Sequence, residues 1–89
     1  MTKKRYIYKV RYIAKDGTPL SLSLKSEHVI VAAHRLNINS NPLLIDVHKA
    51  MNRVRNRPES NMAKHGGPHI LKEIENMDTG GYLLFNLYI

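Results

Sequence analysis

The chain of 89 residues contains no cysteine. This absence excludes disulfide bonds, thiol catalysis and thiolate zinc sites, and it fits a reducing compartment. Long apolar segments are also missing, because the longest uncharged apolar run is GYLLFNLYI, far shorter than the ~20 residues that a membrane helix requires. The N-terminal MTKKRYIYKVRY carries charges within its apolar run, so it does not have the pattern of a signal peptide. We therefore expect a cytoplasmic protein that has no membrane partner.

The length and the apolar content predict one small globular domain over residues 1–89. The hydrophobic fraction is 43%, which is ordinary for a folded protein and argues against wholesale disorder. A core of this size can fold alone, although with modest stability.

The net charge of +7 is concentrated in two segments. Residues 1–25 carry seven basic residues against one acidic residue, and residues 41–58 carry four against one. Residues 59–89 contain two basic and four acidic residues. A positive field of this kind favours nucleic acid or an acidic protein surface as a partner, although solubility alone would also explain it.

The first basic segment has the pattern of a β-hairpin. Residues 5–14 and 18–26 alternate between apolar and polar side chains and are joined by Lys-Asp-Gly. A three-residue turn with Gly17 in the left-handed conformation sets Tyr12 opposite Leu20 and Val10 opposite Leu22, which gives one apolar face. The other face then carries Lys9, Arg11, Ser21, Ser23 and Lys25. Because the tyrosines of this hairpin point inward, the polar face suits phosphate contacts better than base stacking.

Two helical patterns follow the hairpin. Residues 27–36 favour a helix after the capping residue Ser26, although the β-branched run VIV leaves a third strand open. Pro42 opens a longer helix that Asn41 caps and Pro58 ends. Its apolar stripe contains Leu43, Leu44, Val47, Ala50, Met51 and Val54. Its basic residues are Lys49, Arg53, Arg55 and Arg57, which crowd the C-terminal half of the helix.

The C-terminal part of the chain permits two interpretations. HILKEIENM fits a short helix with Ile70, Leu71, Ile74 and Met77 inward, followed by the strand YLLFNLYI. Alternatively, residues 70–88 form a second hairpin around residues 78–81. We favour the first, which gives an α+β domain with an N-terminal antiparallel β-hairpin, two to three helices, and a C-terminal strand that completes the sheet.

The segment KHGGPH contains two histidines, a lysine and two glycines, residue types that metal sites, acid–base catalysis and anion sites use. His65 and His69 have a metal-ligand spacing, but the glycines between them break the required helix and no cysteine can assist. We therefore expect neither a metal nor a cofactor. Lys64, His65, Gly66 and Gly67 could instead bind an anion at the N-terminus of the helix that Pro68 would open. A loop without function explains the same residues.

These patterns favour a small, basic, non-enzymatic protein that contacts nucleic acid mainly through phosphates. The residues expected at the phosphates are Lys9, Arg11, Lys25, Lys49, Arg53, Arg55 and Arg57. The small size, the lack of cysteine and the order of elements are similar to those of many phage and mobile-element accessory proteins. One alternative is an inhibitor or adaptor that binds a host nucleic-acid-handling or defence complex through the basic surface, the exposed sheet edge or strand 82–89. The same strand could also form a homodimer. A small ribonuclease that uses His65 and His69 is a third.

Overall fold

The computed structural model describes residues 4–29 and 42–89. The elements in chain order are β1 (Tyr6–Ala14), β2 (Pro19–Ser26), α1 (Pro42–Arg55), α2 (Asn61–Lys64), β3 (Pro68–Asn76) and β4 (Tyr82–Tyr88). The four strands form one antiparallel sheet in the order β2-β1-β3-β4. Within these described ranges, no helix is long and apolar enough to cross a membrane.

The first hairpin has the predicted register. Tyr12 lies opposite Leu20, Val10 opposite Leu22, and the remaining pairs follow the same offset. Gly17 has φ of +89°, the left-handed conformation that the three-residue turn requires. The prediction was correct because a shift of one residue would have exchanged the apolar and polar faces of β2.

The predicted fold class is wrong in its number of helices and strands. The described residues contain a four-stranded sheet, one helix of 14 residues and one single-turn helix, not two to three helices beside a hairpin and a closing strand. The segment expected as a helix over residues 69–77 is strand β3, and the rival hairpin interpretation is the one observed. The segment expected as a loop contains α2, which Ser60 caps by accepting a hydrogen bond from the Ala63 amide.

An irregularity in β3 explains why its sequence resembles a helix. The pairing of β3 with both neighbours shifts at Lys72, between Leu71 and Glu73. Because the alternation breaks there, Leu71 and Ile74 both lie on the buried face although they are three residues apart. Spacing of three residues between apolar positions is also what a helix shows, so the pattern alone favoured the wrong element.

Asn76 organises the turn of the second hairpin from a buried position. Its Oδ1 atom accepts hydrogen bonds from the amides of Asp78 (2.9 Å) and Thr79 (3.2 Å). Its Nδ2 atom donates to the hydroxyl of Tyr8 at 3.3 Å. These bonds satisfy a buried amide that would otherwise destabilise the core.

Helix α1 agrees with its predicted apolar stripe and covers the inner face of the sheet. Leu43, Leu44, Val47, Ala50 and Met51 are buried there, and Val54 packs beside them. The helix ends at Arg55, so Arg57 lies beyond it. Of the helix predicted over residues 27–36, residues 27–29 belong to neither a helix nor a strand. The rest of that segment, like the predicted cap Asn41, lies outside the described residues.

The hydrophobic core lies between α1 and one face of the sheet. Its strand residues are Tyr8, Val10, Tyr12, Leu24, Leu71, Ile74 and Phe85. The outer face of the sheet carries the alternate side chains of all four strands, including Lys9, Arg11, Ser21, Ser23, Glu73, Glu75, Tyr82 and Leu84. No helix in the described residues covers this outer face.

Candidate functional site

Four cationic side chains line one cleft between the end of β2 and helix α1. We call it the basic cleft, and its cavity volume is about 420 Å³. Its lining residues are Arg5, Leu24, Lys25, Ser26, Glu27, His28, Asp46, Lys49 and Arg53. The four cations outnumber the two carboxylates, so the field in the basic cleft is positive.

Three different parts of the chain bring these cations together. Lys49 and Arg53 are four residues apart in α1 and therefore lie on the same side of the helix. Lys25 is the second-last residue of β2. Arg5 directly precedes Tyr6, which pairs with Ser26, so the β1–β2 register brings Arg5 to the same end of the sheet.

The cations of the basic cleft have no partners within the described residues. Within residues 4–29 and 42–89, no side-chain hydrogen bond or ion pair is formed by Arg5, Lys25, Lys49 or Arg53. Arg11 differs, because its guanidinium donates to Glu73 and, at 3.0 Å, to Glu75. The hydrogen bond to Glu75 is the main reason why the pKa of Arg11 lies above its ordinary value. Unpaired charges remain available to a ligand, whereas Arg11 would first have to give up its carboxylates.

The buried hydroxyl of Ser26 holds residues that line the basic cleft in place. Ser26 is 2% exposed, donates to Asp46 Oδ2 at 2.6 Å, and accepts from the His28 amide at 3.1 Å. The backbone carbonyl of His28 accepts from the Tyr8 hydroxyl at 2.6 Å. These bonds join the end of β2 to α1, so the distance between the two walls of the cleft is set by buried polar contacts.

Ser26, His28 and Asp46 do not form a hydrolytic triad. In such a triad the histidine lies between the hydroxyl and the carboxylate and accepts the proton of the hydroxyl. Here Ser26 donates directly to Asp46, and the His28 Nε2 atom is 3.9 Å from Asp46 Oδ2. The arrangement therefore holds structure together and gives no activated nucleophile.

The remaining predicted phosphate ligands lie away from the basic cleft. Lys9 is on the outer face of the sheet, between Ser23 on β2 and Glu75 on β3. Arg55 donates to Asn52 at 2.6 Å. Arg57 is an exposed residue of the turn that follows α1. Of the seven predicted ligands, the fold brings together Lys25, Lys49 and Arg53.

The segment KHGGPH spans the end of α2 and the start of β3. Gly66 and Gly67 have φ of +91° and +97°, and their amides donate to the carbonyl oxygens of Ala63 and Met62. These two amides are therefore occupied, and Pro68 opens β3 where the anion-site prediction required a helix. The exposed Lys64 forms the last turn of α2.

His65 binds the turn of the first hairpin. Its Nδ1 atom is 2.6 Å from Asp16 Oδ2 and 3.3 Å from the Thr18 hydroxyl. Hydrogen bonds from Thr18 and then from His65 lower the pKa of Asp16 to about 2. Because the hydroxyl and the carboxylate meet the same ring nitrogen, the imidazole cannot relay a proton between them.

His69 contacts β4, the neighbour of β3 on the side away from β1. Its ring meets Tyr88 on β4 in an edge-on contact with centroids 5.2 Å apart. His65 faces the β1–β2 turn, so the two histidines predicted as a ribonuclease pair have partners on different sides of β3. In the part of the chain that the structure describes, no group of three potential metal ligands occurs.

Sequence reasoning missed six of the nine residues that line the basic cleft, among them Arg5 and His28. Arg5 could have been found, because extending the predicted hairpin register by one pair brings it beside Glu27. His28 had no sequence signal, since it enters the cleft through the backbone bonds to Ser26 and Tyr8.

The chain was compared with protein families, curated proteins and solved structures, and no significant match was found in any of them.

Proposed function

We propose that the protein binds nucleic acid through phosphates held in the basic cleft, with little reading of base sequence, and that it does so in the cytoplasm. The observation that carries the proposal is the convergence of Arg5, Lys25, Lys49 and Arg53 without partners among the described residues. Lysine and arginine side chains supply most of the binding energy in sequence-independent recognition, through the release of counterions. The uneven charge along the sequence supports the same function.

The experiment is a titration of a labelled single strand and a labelled duplex at two or more salt concentrations. We expect the logarithm of the association constant to fall linearly with the logarithm of the salt concentration. Absence of binding at low salt would contradict the proposal. A preference for the duplex or for the single strand would define the substrate.

A pair of matched variants locates the site. Lys49→Gln/Arg53→Gln removes two charges from the basic cleft and should reduce the salt slope by about 2 on duplex DNA. Lys15→Gln/Lys64→Gln removes the same charge from exposed positions at the first turn and α2, and it should leave the slope nearly unchanged. Equal effects of both pairs would show that binding depends on net charge and not on the cleft.

A protein-binding role is the second candidate, because acidic protein surfaces are attracted by the same field. The observation that favours it is the exposed apolar side chains of β4 at an edge of the sheet. An accessory or regulatory role in a phage or mobile element is supported by size and composition alone.

A further inference from the structure

Strand β4 ends the sheet with backbone groups that no described residue uses. The Gly81 carbonyl accepts from the Asn76 amide at 2.7 Å, and the Ile89 amide donates to the His69 carbonyl at 2.9 Å. Both bonds run towards β3, so the odd-numbered residues between them direct their backbone groups to β3. The even-numbered residues Tyr82, Leu84, Asn86 and Tyr88 therefore direct their N–H and C=O groups away from the sheet. We call this the free edge of β4.

The free edge of β4 has no charged residue and no proline, two of the features that usually prevent strand association. The strand YLLFNLY has no charged residue and no proline, and its exposure alternates without interruption. Natural proteins protect such edges with lysine, proline, bulges or very short strands. The pairing of β4 with β3 shifts opposite Lys72, but the exposed and buried side chains of β4 alternate through that point. This uncharged edge of seven residues is therefore a template for a further strand.

The outer face of β4 is mostly apolar, apart from Asn86, which accepts a hydrogen bond from Lys72 on β3 at 2.8 Å. Tyr82, Leu84 and Tyr88 are 60%, 67% and 69% exposed. Glu75 pairs with Tyr82, and Glu73 with Leu84. Exposed tyrosines could stack bases, but the nearby charges are already paired, because Arg11 binds both carboxylates and Lys72 donates to Asn86. Arg11 and Lys72 are therefore not free to bind phosphates, and the apolar side chains of this face favour an uncharged strand over nucleic acid.

We infer that the occupant is a second copy of this chain, with β4 of the two copies paired antiparallel about a two-fold axis at Phe85. The even-numbered residues must face each other to exchange hydrogen bonds, and this register pairs the full strand from residue 82 to residue 88. Leu84 then faces Asn86 of the partner subunit, and Tyr82 faces Tyr88 of the partner subunit. On the buried side, Phe85 meets Phe85 of the partner subunit.

The charge distribution is compatible with this dimer. No side chain of β4 is charged, and the neighbouring Lys72 already donates to Asn86 at 2.8 Å, so pairing leaves no charge of the strand without a partner. The basic cleft lies beside β2 at the opposite edge of the sheet, so the two clefts of the dimer are far apart. The inference is therefore independent of the proposed nucleic-acid function.

The interface is small, so the dimer should dissociate on dilution. Stable interfaces bury roughly 1,200–2,000 Å² in total, and one pair of seven-residue strands lies at or below that range. We expect a dissociation constant of about 1–100 μM, which sedimentation from about 1 μM to about 1 mM would cover. A monomer at every concentration would overturn the inference.

Charge variants test the register. Leu84→Lys/Asn86→Lys places lysine opposite lysine of the partner and should weaken the dimer at least ~10-fold. The same variant removes the acceptor of Lys72 within the chain, a loss that Asn86→Ala measures alone and that should leave the dimer nearly intact. Leu84→Lys/Asn86→Glu places lysine opposite glutamate and should restore much of the affinity. Ser21→Lys/Ser23→Lys adds the same charge as the first variant at exposed positions of β2 and should leave the dimer nearly intact.

Amide hydrogen exchange of the unmodified chain tests the same contact without substitutions. The amides of Leu84 and Asn86 should exchange more slowly as the concentration rises through the dissociation constant. Unchanged exchange in a protein that dimerises would place the interface elsewhere. A dimer that is broken by the β2 variant and not by the β4 variant would likewise contradict the inference.

Discussion

The two edges of the sheet have opposite chemistry although they belong to the same domain. β2 begins with Pro19, has Ser21 and Ser23 on its exposed face, and ends with Lys25 and Ser26 beside the basic cleft. β4 has no charge and no proline, and it exposes tyrosine and leucine. We propose a charged ligand beside the first edge and a further strand on the second. The two edge strands therefore differ in charge, and the two proposed contact surfaces lie on opposite sides of the sheet.

The largest expected effect distinguishes the two faces of β4. Phe85 is 8% exposed and packs in the core, whereas Leu84 is two-thirds exposed. We expect Phe85→Ala to reduce the free energy of unfolding by about 3–5 kcal/mol, because it leaves a cavity. Leu84→Ala should change it by less than about 0.5 kcal/mol in the monomer. Urea denaturation at low protein concentration measures both, and similar losses would contradict the assignment of faces.

The next effect concerns the polar attachment of β2 to α1, for which β4 has no counterpart in the described residues. Ser26→Ala removes a buried hydroxyl and leaves Asp46 Oδ2 and the His28 amide without this partner. We expect a loss of about 1–3 kcal/mol in thermal or urea unfolding. Ser23→Ala, at an exposed position of the same strand, is the matched control and should be nearly neutral.

The smallest effect is a pH dependence at the turn that begins β2. The pKa of Asp16 is lowered to about 2, against about 3.9 in an unfolded chain. Because the folded-state pKa is the lower one, the stabilisation is present above about pH 4 and is lost as the pH falls towards about 2. Asp16→Asn should flatten this part of the stability curve.

His65→Gln should flatten the same curve only in part, because the hydrogen bonds from Thr18 to Asp16 remain. Urea midpoints at several pH values between about 2 and about 5 measure the difference. Coinciding curves for the unmodified chain and Asp16→Asn would refute the role of this ion pair.

Local sequence patterns were sufficient to predict an element where its apolar and polar faces differed clearly. The register of the first hairpin followed from Leu20, Leu22 and Leu24, since only one offset kept them on one side. The start of α1 at Pro42 and its buried stripe followed from the proline and the helical spacing. At β3 the same reasoning failed, because a bulge at Lys72 gave strand residues a helical spacing.

The candidate site was only partly visible in the sequence. Lys25, Lys49 and Arg53 were identified as cations, but so were Arg11 and Arg55, and the sequence could not tell which were already bound to other side chains. Glu73 and Glu75 accept hydrogen bonds from Arg11, but the sequence pattern assigned them to a helix and they lie in strand β3. A wrong element therefore hid the ion pair that removes Arg11 from the set of free cations.

The sequence by itself determined the absence of thiol chemistry, the uneven distribution of charge, the first hairpin and the apolar stripe of α1. Each of these depends on residue type or on short-range periodicity, which the local backbone imposes. The tertiary structure decided which cations converge, which are neutralised and which strand lies at the edge. These properties depend on contacts between residues up to 71 positions apart, such as Ile7 and Asp78, and no local pattern encodes them.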